Sequence, residues 1–180
     1  MATALELSKG FQVAAMSVFF DGDPMPVIAD VSVPGVSTAV ESFNNTSTGG
    51  EIEVANGFRR KPDGDGEINI ESFDGRLYGK IMDANRIYSL KLAMAQNNLN
   101  PQLGKMLPLP VTYTIGAQFY DVNDGKIAVD KKREIKAKYK MLSLKVEENF
   151  QEVIFFDFSS AVFRIDGVDL LSTVQNILGG

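Results

Sequence analysis

The sequence predicts a mainly β fold, a sandwich or barrel protomer with one or two short helices and a long β-hairpin arm. Three observations lead there. Residues 111–119 alternate with a period of two: Val111, Tyr113, Ile115, Ala117 and Phe119 fall on one face, and Thr112, Thr114, Gly116, Gln118 and Tyr120 on the other. Residues 11–20 and 153–158 are apolar on both faces, the pattern of strands covered on two sides. Residues 11–56 read as a long, two-part β-ribbon ending in a polar, glycine-rich tip.

Taken in order, residues 1–10 read as a loosely held arm. The first strand, 11–20, turns at Asp21-Gly22-Asp23 into a half-buried strand at 27–33, where Val27, Ala29, Val31 and Val33 alternate with Asp30 and Ser32. Pro34 cannot donate to a ladder and Gly35 bends readily, so the chain is expected to kink there and change sheets. Residues 36–43 continue extended, Asn44, Asn45, Thr46, Ser47, Thr48, Gly49 and Gly50 turn the chain, and Glu51-Ile52-Glu53-Val54 returns. A lone ribbon of this kind is marginal in water and needs a partner surface, here a second copy of the chain.

Residues 61–66 form a turn before a strand at 67–71. Asp74 reads as an N-cap, with Leu77, Tyr78, Ile81 and Met82 at helical spacing over 74–83. Residues 87–95 fit either a strand (Tyr88, Leu90, Leu92, Met94) or a helix (Ile87, Leu90, Met94). Residues 97–110 contain three prolines and read as a loop. Asn123-Asp124-Gly125 is a hairpin turn. Across 132–147 the apolar series slips phase, from Ile135, Ala137, Tyr139 and Met141 to Leu142, Leu144 and Val146, which predicts a β-bulge near 140–142. Glu148-Asn149 turns into 153–158. Asp166 is placed to cap a helix with Val168, Leu171, Val174 and Leu178 in one stripe, widened by Leu170 and Ile177. The organisation is one domain over 1–180, with an arm at 1–10 and a ribbon at 36–56.

Composition narrows the chemistry. The chain has no Cys, His or Trp among its 180 residues, so thiol nucleophiles, disulfides, Cys-based metal sites and histidine general bases are all absent. The reading is of a protein that is not an enzyme and takes no cofactor or metal. Net charge is −5, the opposite of the basic field that grips nucleic acid. No apolar run reaches the roughly 18–20 residues that span a bilayer, and residues 1–10 lack the features of a signal peptide, so a cytoplasmic origin without membrane insertion is expected. Asp63, Asp65 and Glu67 have part of the spacing of a calcium loop, but Ile68 stands where glycine is required and Asp74 where glutamate is, which leaves a turn. The spellings Asn44-Asn45-Thr46 and Asn45-Thr46-Ser47 are glycosylation sequons without a secretory context.

Two stretches, in this order, resemble the major tail tube proteins of contractile-tailed bacteriophages and of phage-tail-like bacteriocins. The first runs from Val18-Phe19-Phe20-Asp21-Gly22 through Val31-Ser32-Val33-Pro34-Gly35 to Gly49-Gly50-Glu51-Ile52-Glu53-Val54. The second is the 144–158 hairpin followed by Phe163-Arg164-Ile165-Asp166-Gly167-Val168-Asp169-Leu170. Together they cover about half the chain, and the resemblance implies an insertion at 87–110. The resemblance implies a β-barrel protomer closing into six-fold rings that stack as a hollow tube in a virion tail, made in the bacterial host cytoplasm. It implies the same chain as partner, together with tail sheath, tape measure, baseplate and tail terminator proteins, and DNA passing through the lumen without specific binding. Strands apolar on both faces suit such a protomer, because a neighbour covers the second face and ring closure removes exposed sheet edges.

Under that resemblance Glu41, Glu51 and Glu53 are candidate lumen carboxylates that repel DNA, and Thr112, Thr114 and Gln118 a smooth polar lumen face; each also reads as an ordinary solvated strand face. Residues 44–50 are the candidate ring-stacking loop. Lys131, Lys132, Arg133, Lys136, Lys138 and Lys140 make a basic cluster without interleaved aromatics, read as a solvated face or a pairing surface for acidic residues. The alternatives are the tube of a bacteriocin or contractile injection device, a stand-alone β-barrel binding module, and a carboxylate-only hydrolase using Glu152 and Asp157.

Overall fold

The computed structural model describes residues 12–25, 28–45, 50–71, 74–100, 105–125, 129 and 133–172. The arm at 1–10, the tip residues Thr46, Ser47, Thr48 and Gly49, the basic residues Lys131 and Lys132, and Val174, Ile177 and Leu178 lie outside them. The described chain is almost entirely antiparallel β: β1 Gln12–Phe20, β2 Asp23–Pro24, β3 Ile28–Ser32, β4 Gly35–Asn45, β5 Gly50–Asp63, β6 Gly66–Ile70, then α1 Gly75–Ile81, β7 Tyr88–Asn100, β8 Lys105–Asn123, β9 Ile135–Glu148, β10 Gln151–Asp157, β11 Val162–Ile165 and β12 Val168–Asp169.

Ten strands form one sheet in the order β12-β11-β10-β9-β8-β7-β1-β2, with β3 and β6 attached through β6 to β9. The long β9 organises it. Residues 135–139 pair with β6, residues 143–148 pair with β10, and β8 runs along the other edge. The change of partner falls where β8 skips from Ser143 to Met141, leaving Leu142 without an opposite residue. This is the bulge that the phase slip predicts; the backbone carbonyl of Leu142 accepts from Phe158 N–H at 3.0 Å instead. The sheet curls, but among the described residues no ladder joins β3 to β1 or β2, so it does not close into a barrel within the chain.

The core lies inside the curl. Phe20, Tyr88, Phe119 and Tyr139 form a run of tilted ring contacts with centroids 4.8 to 5.8 Å apart. Ile68, Ile70, Leu90, Ile115 and Met141 are fully buried around them. Helix α1 covers one end with Leu77 and Ile81, and begins where Asp74 accepts from the N–H groups of Arg76 and Leu77.

Three sequence expectations change and one open reading is settled. The N-terminal half of the two-part ribbon is not a ribbon: β1 pairs with β7, β3 pairs with β6, and only β4 and β5 form the separate two-stranded arm. The turn at Asp21-Gly22 joins β1 only to the two-residue β2. Residues 97–100 and 105–110 are strand rather than loop, because β7 and β8 continue as a hairpin out to Asn100 and Lys105. Pro108 and Pro110 fit since β9 begins pairing with β8 only at Val111. The Pro110 carbonyl points to that side, accepting from Asn149 N–H, so the missing N–H groups of both prolines face the side where, among the described residues, no ladder needs them. Residues 87–95 are likewise strand, with Tyr88, Leu90 and Leu92 buried in alternation. Asp166 does not cap a helix. It sits at φ 49° in an Asp-Gly turn between β11 and β12, and Val168 is spent on the ladder with Ile165. The kink at Pro34 is where the chain leaves the large sheet for the arm, as expected.

Candidate assembly and lumen surfaces

Because directly opposed residues in an antiparallel ladder share a face, the register separates the two sides of the main sheet. Phe20, Leu90, Ile115, Leu144, Phe156 and Phe163 form one row across five ladders into the core. The adjacent rows lie on the open side. One carries Ser17, Ala93, Thr112 and Glu147; the next carries Phe19, Lys91, Thr114, Lys145, Phe155 and Arg164. A third holds Ser89, Gly116, Ser143 and Asp157. Thr112 and Thr114 thus sit on a broad face that mixes small, polar and charged residues with Phe19 and Phe155. Gln118 shares their side of β8, but its amide donates to the Ala84 carbonyl at 2.8 Å and holds the loop after α1.

This face is not a negative surface. Lys91, Lys145 and Arg164 stand against Glu147, Glu152 and Asp157. Lys145 pairs with Glu147 at 2.7 Å, and Arg164 grips Glu152 in a fork at 2.9 and 3.2 Å. Asp157 accepts from the backbone N–H groups of Ser159 and Ser160 and from the Ser159 hydroxyl. Burial alone pushes its carboxyl up; those hydrogen bonds outweigh it and hold it below the ordinary value.

The arm places the three glutamates on different sides. Glu41 lies opposite Val54, whereas the neighbouring pair is Ser42 with Glu53, so Glu41 and Glu53 are on opposite faces of the ribbon. Glu51 lies two positions from Glu53, opposite Asn44, and Asn45 opposite Gly50 is the last described pair before the tip. Glu53 is exposed and Glu41 half-buried. At its base the arm is fastened to the body: Val36 packs on the core, and the Arg60 guanidinium lies 3.9 Å above the Phe163 ring.

Among the described residues, the least completed strand is β1. One edge pairs with β7; on the other, among the described residues, Phe19 and Phe20 meet β2 and the Val18 carbonyl accepts from Met25 N–H at 2.8 Å. Residues 13–17 are all exposed, including Val13 at 50% and Met16 at 38%. Beside this open edge the core is itself open, as a groove of about 340 Å³ between the sheet (Met16, Met94, Val111, Tyr113) and Val31 and Val33.

A family model described as phage tail tube protein FII matches residues 12–179. The chain belongs to the phage tail tube protein FII family. No curated protein matches it. Among the solved chains with a similar fold are two that are each 10% identical in sequence. One is from the sheath-tube complex of an extracellular contractile injection system, PVC, in its extended state, with a TM-score of 0.53 over 73% of this chain and 87% of that one. The other is from the sheath/tube terminator of the same kind of system, with a TM-score of 0.54 over 76% and 95%. At that identity the likeness is one of fold.

In this tail tube family chain several of the remaining charged residues are held in structural pairs. Glu152 and Asp157 of the hydrolase alternative are engaged by Arg164 and by the Ser159–Ser160 turn as described. Of the basic cluster, Lys138 pairs with Asp121 at 3.7 Å, Lys140 with Asp65, and Arg133 with Asp124 at 3.1 Å. The Tyr120 hydroxyl donates to the same Asp65 at 2.6 Å, and the carboxylate pushes the phenol up to about 12. Reading the cluster from sequence found Lys136, Lys138 and Lys140, which the structure leaves exposed. It missed Asp65, Asp121 and Tyr120, which the β8–β9 register and the β5–β6 turn bring there from as many as 75 residues away.

Proposed function

We propose that this chain is a structural tail tube subunit that closes with five identical copies into a ring, and that the rings stack into a hollow tube inside a contractile sheath. Its work is assembly, without catalysis. The observation that carries the reading is the open β1 edge beside an open core. A strand edge whose residues 13–17 have no ladder partner among the described residues, flanked by exposed Val13 and Met16 and an apolar groove, is the surface that an adjacent copy completes. At about 25 cal/mol per Å² of apolar area, a permanent interface of roughly 2,000 Å² makes the ring far more stable than any single bond would.

The sheet face bearing Thr112 and Thr114 is our candidate for the lumen wall. Its small side chains and balanced charges suit free passage of DNA or another cargo, and Glu53 and Glu51 of the arm are candidates for added negative charge along the bore. The ribbon tip, residues 44–50, is placed between rings. Sheath, terminator and baseplate proteins are the expected partners outside and at the ends, and a tape measure protein within. A virion tail is the expected location, with a bacteriocin or injection device built from the same parts.

Negative-stain electron microscopy of the purified full chain tests the reading. Six-fold rings or hollow tubes are expected. A monodisperse monomer at high concentration would overturn it in favour of a stand-alone binding module.

A further inference from the structure

The turn joining β9 to β10 has a conformation its sequence does not favour. Asn149 and Phe150 both have positive φ, 51° and 64°. Tight hairpin turns of that geometry favour glycine at the second position, and bulky residues adopt it rarely. The turn is nevertheless fixed, since Asn149 N–H donates to the Pro110 carbonyl at 2.9 Å. It holds the Phe150 ring out in water, 84% exposed. An aromatic side chain kept on a strained backbone with no ring or hydrogen-bond partner among the described residues points to an external contact.

The far end of the sheet offers a hollow of about 420 Å³ between the β1–β2 turn and α1. Phe20, Pro24, Met25 and Leu77 form its apolar walls. Of its charged residues, Asp23 pairs with Lys80 at 3.4 Å and Asp74 is spent on the helix cap. Arg76 has no acidic partner among the described residues. The Phe150 turn is the complement: Glu148, exposed beside it, has no basic partner among the described residues. The register sets the two features apart. Asp21 N–H, in the β1–β2 turn next to Phe20 of the hollow, donates to the Ser89 carbonyl, opposite Gly116, whereas Asn149 N–H donates to the Pro110 carbonyl. Six residues of β8 separate those points, roughly 20 Å.

A knob and a hollow at opposite ends of one chain cannot meet within a copy; between copies they make a head-to-tail contact that propagates. We propose that Phe150 of one subunit seats in the hollow walled by Phe20 and Leu77 of a subunit in the next ring, with Glu148 beside Arg76. This rests on the tube reading above and adds to it a specific stacking contact between rings.

The test uses the purified full chain with Phe150→Ser, Phe150→Gly, Glu148→Arg, Arg76→Glu and the charge-exchanged double variant, scored by negative-stain microscopy and sedimentation. Both Phe150 variants are expected to form single rings and few stacks. The thermal midpoint of Phe150→Gly should equal or exceed that of the wild type, because glycine suits the turn. That separates lost stacking from lost folding. Each single charge reversal should shorten tubes, and the double variant should restore their length. Tubes of ordinary length from Phe150→Ser, or a double variant no better than either single, overturns the proposal, as does loss of the rings themselves in Phe150→Ser. A wild type that forms neither rings nor tubes overturns the tube reading first and this contact with it.

Discussion

Gly66→Ala probes the junction that hangs β3 and β6 on the main sheet. Gly66 is buried directly across from Tyr139, and a Cβ at that position would run into the Tyr139 ring. The ring has nowhere to retreat. It packs against Phe119 with centroids 5.5 Å apart, and its hydroxyl donates at 3.0 Å to the Ser32 carbonyl at the end of β3. Overpacking a filled core costs about 1–3 kcal/mol, and displacing the ring also gives up a hydrogen bond worth about 1 kcal/mol. The alanine should therefore destabilise the chain by roughly 2–4 kcal/mol, and Tyr139→Phe, which loses only the hydrogen bond, by about 1. For a chain of this length each kcal/mol moves the melting midpoint by about 2–4 °C. Circular dichroism melts, run dilute enough to keep subunits unassembled, should show Gly66→Ala falling by roughly 5–15 °C and Tyr139→Phe by about 2–4 °C. Combining Gly66→Ala with Tyr139→Leu should cost less than the two changes summed, because the smaller side chain makes room. A Gly66→Ala protein melting within about 1 °C of wild type would refute the claim that this ring is pinned.

Two further outcomes follow from the same coordinates. Burial pushes the Tyr139 phenol well above its ordinary 10.0, so the folded chain keeps a proton that the unfolded chain releases. This contribution is intact below pH 10 and is lost as pH rises above it; urea midpoints of the wild type should fall through that alkaline range more steeply than those of Tyr139→Phe, and parallel curves would contradict the assignment. Met16→Lys puts a charge on the open β1 edge, where Met16 is already partly in water. It should shift the monomer melt by less than about 0.5 kcal/mol while abolishing ring formation in the microscope, and normal rings would remove β1 from the interface.

Legibility in the sequence followed the range of the force involved. The alternation in β8, the Asp74 cap, the Pro34 departure and the bulge at Leu142 are written in a few consecutive residues, and all four are in the structure. The β7–β8 hairpin was obscured by prolines whose harmlessness depends on where β9 stops. Asp166 has the look of a cap, but Val168 gains a ladder partner in Ile165 that no local pattern announces. For the candidate surfaces, Thr112 and Thr114 fell together because a strand's own period places them. Glu41 parted from Glu53 because pairing in the arm fixes an odd offset between them. Phe150 and the hollow beside Phe20 carried no sequence signal at all, since one is a matter of backbone angle and the other of space between distant elements.

From its sequence alone this protein is a β-rich chain without histidine or cysteine chemistry, built of strands too apolar to stand by themselves; periodicity and composition are properties of neighbours along the chain, and that is enough. Which strand lies beside which was decided only in three dimensions. Alternation tells a strand which way its side chains point, while the choice of partner for its backbone groups is made by whatever segment, often more than 60 residues away, reaches that edge. Among the described residues the same folded arrangement leaves one edge of β1 without a ladder partner over residues 13–17, which no alternation in the sequence foretells.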